Sequence, residues 1–223
     1  MRFGIVVYDD VEPIDIGATF GVLSMARRIE PTVEMFLVAA RAGVVRLAGG
    51  LEMVAPHGFA DCPAADAFIV AGGPGWAREA ANPAMLAFVR GLPLATRIVA
   101  SVCTGAMILA AAGLLDGRHA TTKREVSGAE IAPIAILRER YPTVRVVAAP
   151  VVDEGAIVTG GGVSLAIDLT LYLLERLGGP ALAAETARII EYATAREANA
   201  AAARTAAPSG SAAGGGRVAA GRD

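Results

Sequence analysis

Unbroken apolar runs alternate with amphipathic segments along this chain of 223 residues. Four of these runs are short and rich in β-branched residues, which is typical of strands buried on both faces of a parallel sheet. They lie at residues 2–8, 33–40, 67–73 and 96–102. The intervening and following segments space their apolar residues every three or four positions, as helices do. These predicted helices lie at residues 12–29, 83–92, 106–115, 127–141, 163–177 and 180–193.

Strands that alternate with helices predict an α/β fold with a mostly parallel central sheet covered on both sides. A hairpin is predicted around Gly49 and Gly50, and short strands at 119–122 and within 144–162. The length suits one domain. From residue 195 the composition shifts to Ala, Gly, Ser and Arg, so we expect a domain at 1–194 and a disordered tail at 195–223.

Composition narrows the function classes. Apolar residues make up 54% of the chain and the formal net charge is −2, so no basic face for nucleic acid or anionic membrane is expected. No signal-peptide layout and no clean apolar run of about 18 residues is present, which predicts a cytoplasmic protein without a membrane span. Cys62 and Cys103 are then expected to be free thiols.

Cys103 interrupts the apolar stretch "IVASVCTGAMILAAAGLL" where the strand gives way to a helix. A buried core thiol beside a turn would explain it without any chemistry. However, the order Ser-x-Cys-x-Gly at a strand–helix junction matches a nucleophile elbow, in which a tight turn presents the reactive side chain. Amides at the start of the helix would favour the thiolate there.

Two further stretches follow strand ends, where ligands bind in parallel α/β sheets. Asp15 in "EPIDIG" is either a helix-start acid or a carboxyl group that exchanges protons with the thiol. The glycines Gly72 and Gly73 of "AGGPGW" could offer N–H groups to an anion, although Gly-Pro clusters are also ordinary turns. The glycine-rich "TGGGVS" at 159–164 lacks the residues of a phosphate loop.

The remaining reactive residue types are few. His57 and His119 are expected to be structural or at the surface, and Cys62 to be uninvolved. With two histidines and no Cys-x-x-Cys pair, neither a zinc site nor any other metal or cofactor is expected.

Four stretches resemble the ThiJ/PfpI superfamily, whose class I glutamine amidotransferase-like members have a flavodoxin-like three-layer fold with a nucleophile elbow. They are "EPIDIGATFGVLSMA", "FADCPAADAFIVAGGPGW", "SVCTGAMILAAAGLLDGRHATT" and "VVDEGAIVTGGGVSLAIDL". The elbow and "AGLLDGRHATT" are most similar to the branch that contains isonitrile hydratases and the sensor domains of AraC-type transcription regulators.

The resemblance implies that Cys103 is the nucleophile and Asp15 the acid that faces it, with Thr104 and Gly73 at the substrate. A hydratase of this kind forms a covalent thioimidate with an isonitrile, and water releases an N-substituted formamide. Asp15 would protonate the nitrogen side and later activate water. The resemblance also implies a homodimer with a small-molecule substrate and no cofactor. A sensor domain and a redox or aldehyde-detoxifying protein are the alternatives.

One segment departs from that branch, which commonly has His-Trp where this chain has Lys123 and Arg124. These cations follow a short strand whose carboxyl end lies on the site edge of the sheet. They could lower the thiol pKa or favour an acidic ligand.

Overall fold

The computed structural model describes residues 1–206, and the strands of the described chain are all short. In chain order they are β1 (Arg2–Val6), β2 (Glu34–Ala39), β3 (Gly43–Arg46), β4 (Glu52–Ala55), β5 (His57–Gly58), β6 (Ala67–Val70), β7 (Ile98–Ser101), β8 (His119–Ala120), β9 (Arg145–Val146), β10 (Val151–Asp153) and β11 (Ile157–Gly160).

Seven of these strands form one sheet in the order β10-β11-β7-β6-β1-β2-β5, with only β10 antiparallel to its neighbour. Ile5 of β1 pairs with Leu37 on one side and with Ile69 on the other. All three side chains are buried, which explains why these strands are apolar throughout instead of alternating. The predicted parallel α/β sheet is confirmed.

The described helices fall into two groups. Together they are α1 (Pro13–Ile16), α2 (Val22–Ala26), α3 (Trp76–Glu79), α4 (Pro83–Ala95), α5 (Gly105–Ala111), α6 (Pro133–Arg140), α7 (Ala166–Gly178), α8 (Pro180–Ile189) and α9 (Ala193–Ala206). The first group packs α2 and α8 around α7, with α9 against α8 and with α1 joined to α2 by the turn at Gly17–Gly21. The second group packs α3, α4 and α6 around α5. The sheet is therefore flanked by helices, and its buried side chains form the core.

Two helix predictions need correction. The helix expected at 127–141 begins only at Pro133, because the residue before a proline disfavours the helical conformation and Ala132 is extended. The helix expected at 12–29 contains a wider π-helical turn at Gly17–Gly21 between α1 and α2. The carbonyl of Ala18 within this turn accepts a hydrogen bond of 2.9 Å from Thr170 Oγ1 of α7.

The tail expected from residue 195 starts inside α9. Arg196 forms an ion pair of 2.6 Å with Glu175, and the Asn199 amide donates a hydrogen bond of 2.9 Å to Asp168. Both acceptors lie on α7, so the described part of this segment is a docked helix. Residues 207–223 of the expected tail lie outside the described residues.

Gly105 at the start of α5 permits the close approach of the helix to β6. A Cβ atom there would lie 2.1 Å from the carbonyl oxygen of Val70, which is backbone and has little freedom to move. We expect Gly105→Ala to lower the free energy of unfolding by about 1–3 kcal/mol, as overpacking does. Urea denaturation measures the change.

Gly91→Ala is the matched control. A Cβ at Gly91, in the exposed part of α4, would meet no atom within 4 Å. Because alanine has a higher helix propensity than glycine, this substitution should raise the free energy of unfolding by about 0.5–1 kcal/mol. Equal effects of the two substitutions would contradict the close approach inferred at Gly105.

Candidate active site

Cys103 occupies a strained turn between β7 and α5. Its φ is 51°, in the left-handed region that residues other than glycine rarely adopt. Its N–H donates a hydrogen bond of 2.9 Å to Gly161 O, and its carbonyl accepts one of 2.7 Å from Thr122 Oγ1. Only 2% of the residue is exposed. Hydrogen bonds on both sides of the residue thus hold the turn in its strained form.

Asp15 lies on α1 beside the thiol and is fully buried. Its Oδ2 accepts a hydrogen bond of 2.8 Å from the Gly72 N–H. Its Oδ1 has no hydrogen-bond partner of standard geometry, and a side-chain interaction with the Cys103 thiol lowers the pKa of Asp15. The acid and the thiol therefore form a pair.

Burial dominates the electrostatics of this pair. Desolvation raises the pKa of Asp15 to about 7, with a further contribution from Glu12 that the Gly72 and Cys103 hydrogen bonds oppose. Desolvation and the Asp15 charge raise the pKa of Cys103 to about 12. The thiolate expected from helix amides is thus not the resting form, and the site holds a neutral thiol next to a carboxyl group that titrates near neutrality.

Two backbone amides interact with the thiol sulfur and favour its charged form. They belong to Thr104, the next residue in the elbow, and to Val163. Val163 has a φ of 52°, which is unusual for a β-branched residue, and it follows the glycines of "TGGGVS". Sequence reasoning singled out this stretch but did not assign Val163, because nothing in the local pattern reveals that its amide turns toward the thiol.

The Gly72 and Gly73 N–H groups, which were expected to be available to an anion, already donate hydrogen bonds within the protein. The Gly72 N–H binds Asp15, and the Gly73 N–H donates a hydrogen bond of 2.8 Å to Thr104 Oγ1. A Cβ at Gly72 would lie 2.7 Å from the Cβ of Cys103, so a side chain there would displace the elbow. These two glycines therefore order the site, and their N–H groups are not free for an anion in this arrangement.

A cavity of about 490 Å³ opens in front of the thiol. Cys103, Thr104, Gly73 and Val163 form its inner end. The remaining lining residues are mostly apolar, with two carboxylates and one ammonium among them: Glu12, Pro74, Trp76, Lys123, Val126, Glu130, Ile131, Pro133 and Ile136. Several come from the loop at 121–132 that was expected to be partly helical.

Lys123 lines this cavity, whereas Arg124 pairs with the neighbouring Glu125 at 3.5 Å. The Lys123 ammonium donates a hydrogen bond to the carbonyl of Glu125. Its charge lowers the pKa of both Asp15 and Cys103, but burial outweighs it in each case.

The histidines and the second cysteine have partners of their own. The ring of His57 contacts Phe36 edge-on at 5.4 Å, and Nδ1 of His119 lies 2.7 Å from the Glu154 carboxylate. Cys62 and Cys103 are both free thiols, as predicted. Cys62 is half-buried, which raises its pKa to about 11.

Tyr8 was missed by sequence reasoning: it is buried near the site, and its hydroxyl donates a hydrogen bond to Ala71 O.

Neither a metal cluster nor a membrane helix is found in the described part of the chain. Among residues 1–206, no group of three or more His, Cys, Asp or Glu is arranged to hold a metal ion. The helices of the same range are too short or too polar to cross a membrane.

A mostly parallel α/β sheet with a buried cysteine at a strand–helix elbow defines the class of protein to which the chain belongs: an α/β protein with an elbow of the nucleophile type. The chain matches the DJ-1/PfpI family over residues 1–176, and it belongs to that family.

Three relatives illustrate the range of this similarity. The isonitrile hydratase of Pseudomonas putida is 31% identical over 197 residues, which span 87% of this chain and 80% of that protein. The HTH-type transcriptional regulator CdhR of Pseudomonas aeruginosa is 34% identical over 107 residues, 48% of this chain but only 30% of the regulator. The crystal structure of a cysteine-to-alanine mutant of a DJ-1 superfamily protein from Salmonella typhimurium superposes with a TM-score of 0.70 at 28% identity, covering 86% of this chain and 98% of that one.

The raised pKa of Asp15 predicts a pH-dependent loss of stability. The unfolded carboxyl group ionises near 3.8 and the folded one near 7, so the folded state binds more protons between these values. Stability from this group is therefore fully present at about pH 4 and is lost as the pH rises toward 7. We expect Asp15→Asn to remove this loss, so that its stability relative to wild type rises by more than about 1 kcal/mol from pH 4 to pH 8.

Urea denaturation at several pH values measures this difference. Glu130→Gln is the control, since it replaces an exposed carboxylate of the same cavity and should leave the pH dependence unchanged. Parallel stability curves for wild type and Asp15→Asn would show that the Asp15 carboxyl group does not have a raised pKa.

Proposed function

We propose that this protein is a cysteine-dependent hydratase that converts an isonitrile to an N-substituted formamide. The buried Asp15–Cys103 pair, whose thiol lines a largely apolar cavity, is the observation that carries the proposal. The 31% identity to an isonitrile hydratase over most of both chains supports it.

The protonation states of Cys103 and Asp15 suit this reaction. An isonitrile carries an electrophilic terminal carbon that must gain both a sulfur and a hydrogen. The neutral thiol supplies both: as Sγ of Cys103 bonds to that carbon, the Asp15 carboxylate accepts the thiol proton and passes it to the carbon. The product of this step is a thioimidate in which the carbon is bonded to sulfur, hydrogen and the substituted nitrogen.

Water completes the reaction. Its oxygen adds to the thioimidate carbon, the nitrogen gains a proton, and the carbon–sulfur bond breaks as the formamide carbonyl forms. The sulfur leaves as a developing thiolate, which the amides of Thr104 and Val163 stabilise until Asp15 returns a proton to it. No external oxidant, reductant or cofactor is needed.

The cavity suits a neutral substrate with an apolar substituent. Its walls include Trp76, Val126 and Ile136, which can bury the carbon skeleton of an alkyl or aryl group. A volume of about 490 Å³ accommodates a substrate of that size.

A ligand-sensing role without turnover is the second candidate. The similarity to part of the CdhR regulator favours it, because that similarity covers about half of this chain. A redox-sensing role is less well supported, since oxidation follows thiolate character and exposure, and Cys103 is buried with a raised pKa.

We also propose that the protein forms a homodimer, as the family resemblance implies. The β3–β4 hairpin exposes Val44 and Val54, which face each other across the two strands, and Leu51 at its turn. A cluster of exposed apolar side chains of this kind is typical of an interface.

Formamide production from benzyl isonitrile tests the catalytic proposal. We expect turnover by the wild type and none by Cys103→Ala, which lacks the nucleophile. Asp15→Asn should lose about 10²–10⁴-fold in turnover, the range for a general acid–base group. Cys62→Ala is the matched control for loss of a thiol and should keep full turnover.

Chromatography of the released formamide measures each rate, and circular dichroism checks that each variant is folded. A folded wild type that binds benzyl isonitrile saturably but releases no formamide would favour the sensing role instead.

The homodimer has its own test. The double substitution Val44→Asp and Val54→Asp should convert a dimer to a monomer in sedimentation experiments, because it places four charges in a symmetric interface. Leu94→Asp, at another exposed apolar residue, should leave the mass unchanged. A monomeric wild type at micromolar concentration would contradict the proposal.

A further inference from the structure

Two carboxylates lie near the thiol, and they differ in their access to the cavity. Asp15 is fully buried, with one oxygen bonded to the Gly72 N–H and the other next to the sulfur. It is absent from the residues that line the described cavity. Glu12, three residues earlier, is only half-buried and does line it, together with Cys103 and Thr104.

The backbone fixes the position of Glu12. Its N–H donates a hydrogen bond of 2.9 Å to Gly72 O, and its amide nitrogen would lie 2.5 Å from a Cβ built at Gly73. Glu12 is the N-cap residue of α1, yet its side chain makes no capping hydrogen bond. Within residues 1–206, none of the ion pairs includes it. The Glu12 backbone is therefore fixed at the cavity wall, and among the described residues no capping hydrogen bond or ion pair engages its carboxylate.

The proposed reaction needs a proton acceptor that faces water. When water adds to the thioimidate carbon, it must lose one proton while the nitrogen gains one. Asp15 has already returned its proton to carbon, and it is fully buried and is not among the residues that line the cavity. A second carboxylate that lines the cavity can carry out this proton transfer, because it can take the proton from water and deliver it to the thioimidate nitrogen.

We propose that Glu12 is this second group: the general base that activates water for hydrolysis of the thioimidate and then protonates the thioimidate nitrogen, which stays bonded to the carbon. This inference rests on the proposed hydratase function. Glu12 and Asp15 thus divide the proton transfers. The proton of the thiol reaches carbon through Asp15, one proton of water reaches nitrogen through Glu12, and the other returns to sulfur through Asp15 as the carbon–sulfur bond breaks.

The other charged groups of the cavity are less suited to this role. Glu130 is exposed and belongs to the loop and not to the sheet edge that carries the elbow. Lys123 is a cation whose ammonium already donates to the Glu125 carbonyl. Glu12 is the carboxylate that combines cavity access with direct attachment to the Gly72–Gly73 turn.

Trapping of the covalent intermediate tests the assignment. Benzyl isonitrile is mixed with excess enzyme, and intact-protein mass spectrometry follows the adduct, whose mass is that of the protein plus one isonitrile. We expect Glu12→Gln to form the adduct at the wild-type rate and to accumulate it, with turnover reduced about 10²-fold or more. Asp15→Asn should instead form the adduct slowly, and Glu139→Gln, at an exposed residue of α6 that does not line the cavity, should behave like wild type.

The outcomes separate this inference from the proposed function. Formamide release by Glu12→Gln at the wild-type rate would overturn the role of Glu12 and leave the hydratase intact. Slow adduct formation by this variant, as in Asp15→Asn, would also overturn it, since Glu12 would then act before the thioimidate forms. A wild type that yields neither adduct nor formamide would overturn the hydratase itself and the role of Glu12 with it.

Discussion

The burial of a carboxyl group against a thiol is the constraint on which the site depends. Asp15 is fully buried with a single hydrogen bond of standard geometry, a costly arrangement for an ionised group. The chain accommodates it by keeping the pair nearly neutral: desolvation raises the pKa of the carboxyl group to about 7 and that of the thiol to about 12. In the proposed reaction, the proton of this neutral thiol is the one that is added to the substrate carbon.

Strained backbone on both sides of the sulfur keeps this pair in place. Cys103 and Val163 both have φ near 50°, which costs of order 1–3 kcal/mol each for residues with a Cβ. The hydrogen bond from the Cys103 N–H to Gly161 O ties the two strained segments together. The π-helical turn directly after Asp15 adds to this framework, since Thr19 Oγ1 donates to the carbonyl of Asp15. Such wider turns are frequent at functional sites.

The sequence was sufficient to predict the sheet and the strand–helix junction at Cys103, whereas the placement of Asp15 beside Cys103 was implied by the family resemblance. The apolar strands report burial on both faces, and strand ends in a parallel sheet meet at one edge, so residues remote in sequence could be brought together. The amide of Val163 and the π-helical turn could not be predicted, because each depends on contacts across the fold, such as the bond between Thr170 and Ala18, that leave no local pattern. The late start of α6 is different, since Pro133 is a local signal for it that the predicted helix at 127–141 did not take into account. Helix α9 was missed because its apolar face is small and its docking relies on polar contacts to Asp168 and Glu175.

The residues that line the cavity argue against the expectation that Lys123 and Arg124 favour an acidic ligand. Lys123 is the cation among the residues that line the cavity, and Glu12 and Glu130 line the same cavity. The ionised form of Asp15 adds further negative charge at its inner end as the pH rises through about 7. An anionic ligand would therefore face more carboxylates than ammonium groups, whereas a neutral ligand would face an apolar wall. The Lys123 charge lowers the pKa of Asp15 and of Cys103, against the desolvation that raises them. It therefore favours ionisation of these two groups and does not determine the charge of the substrate.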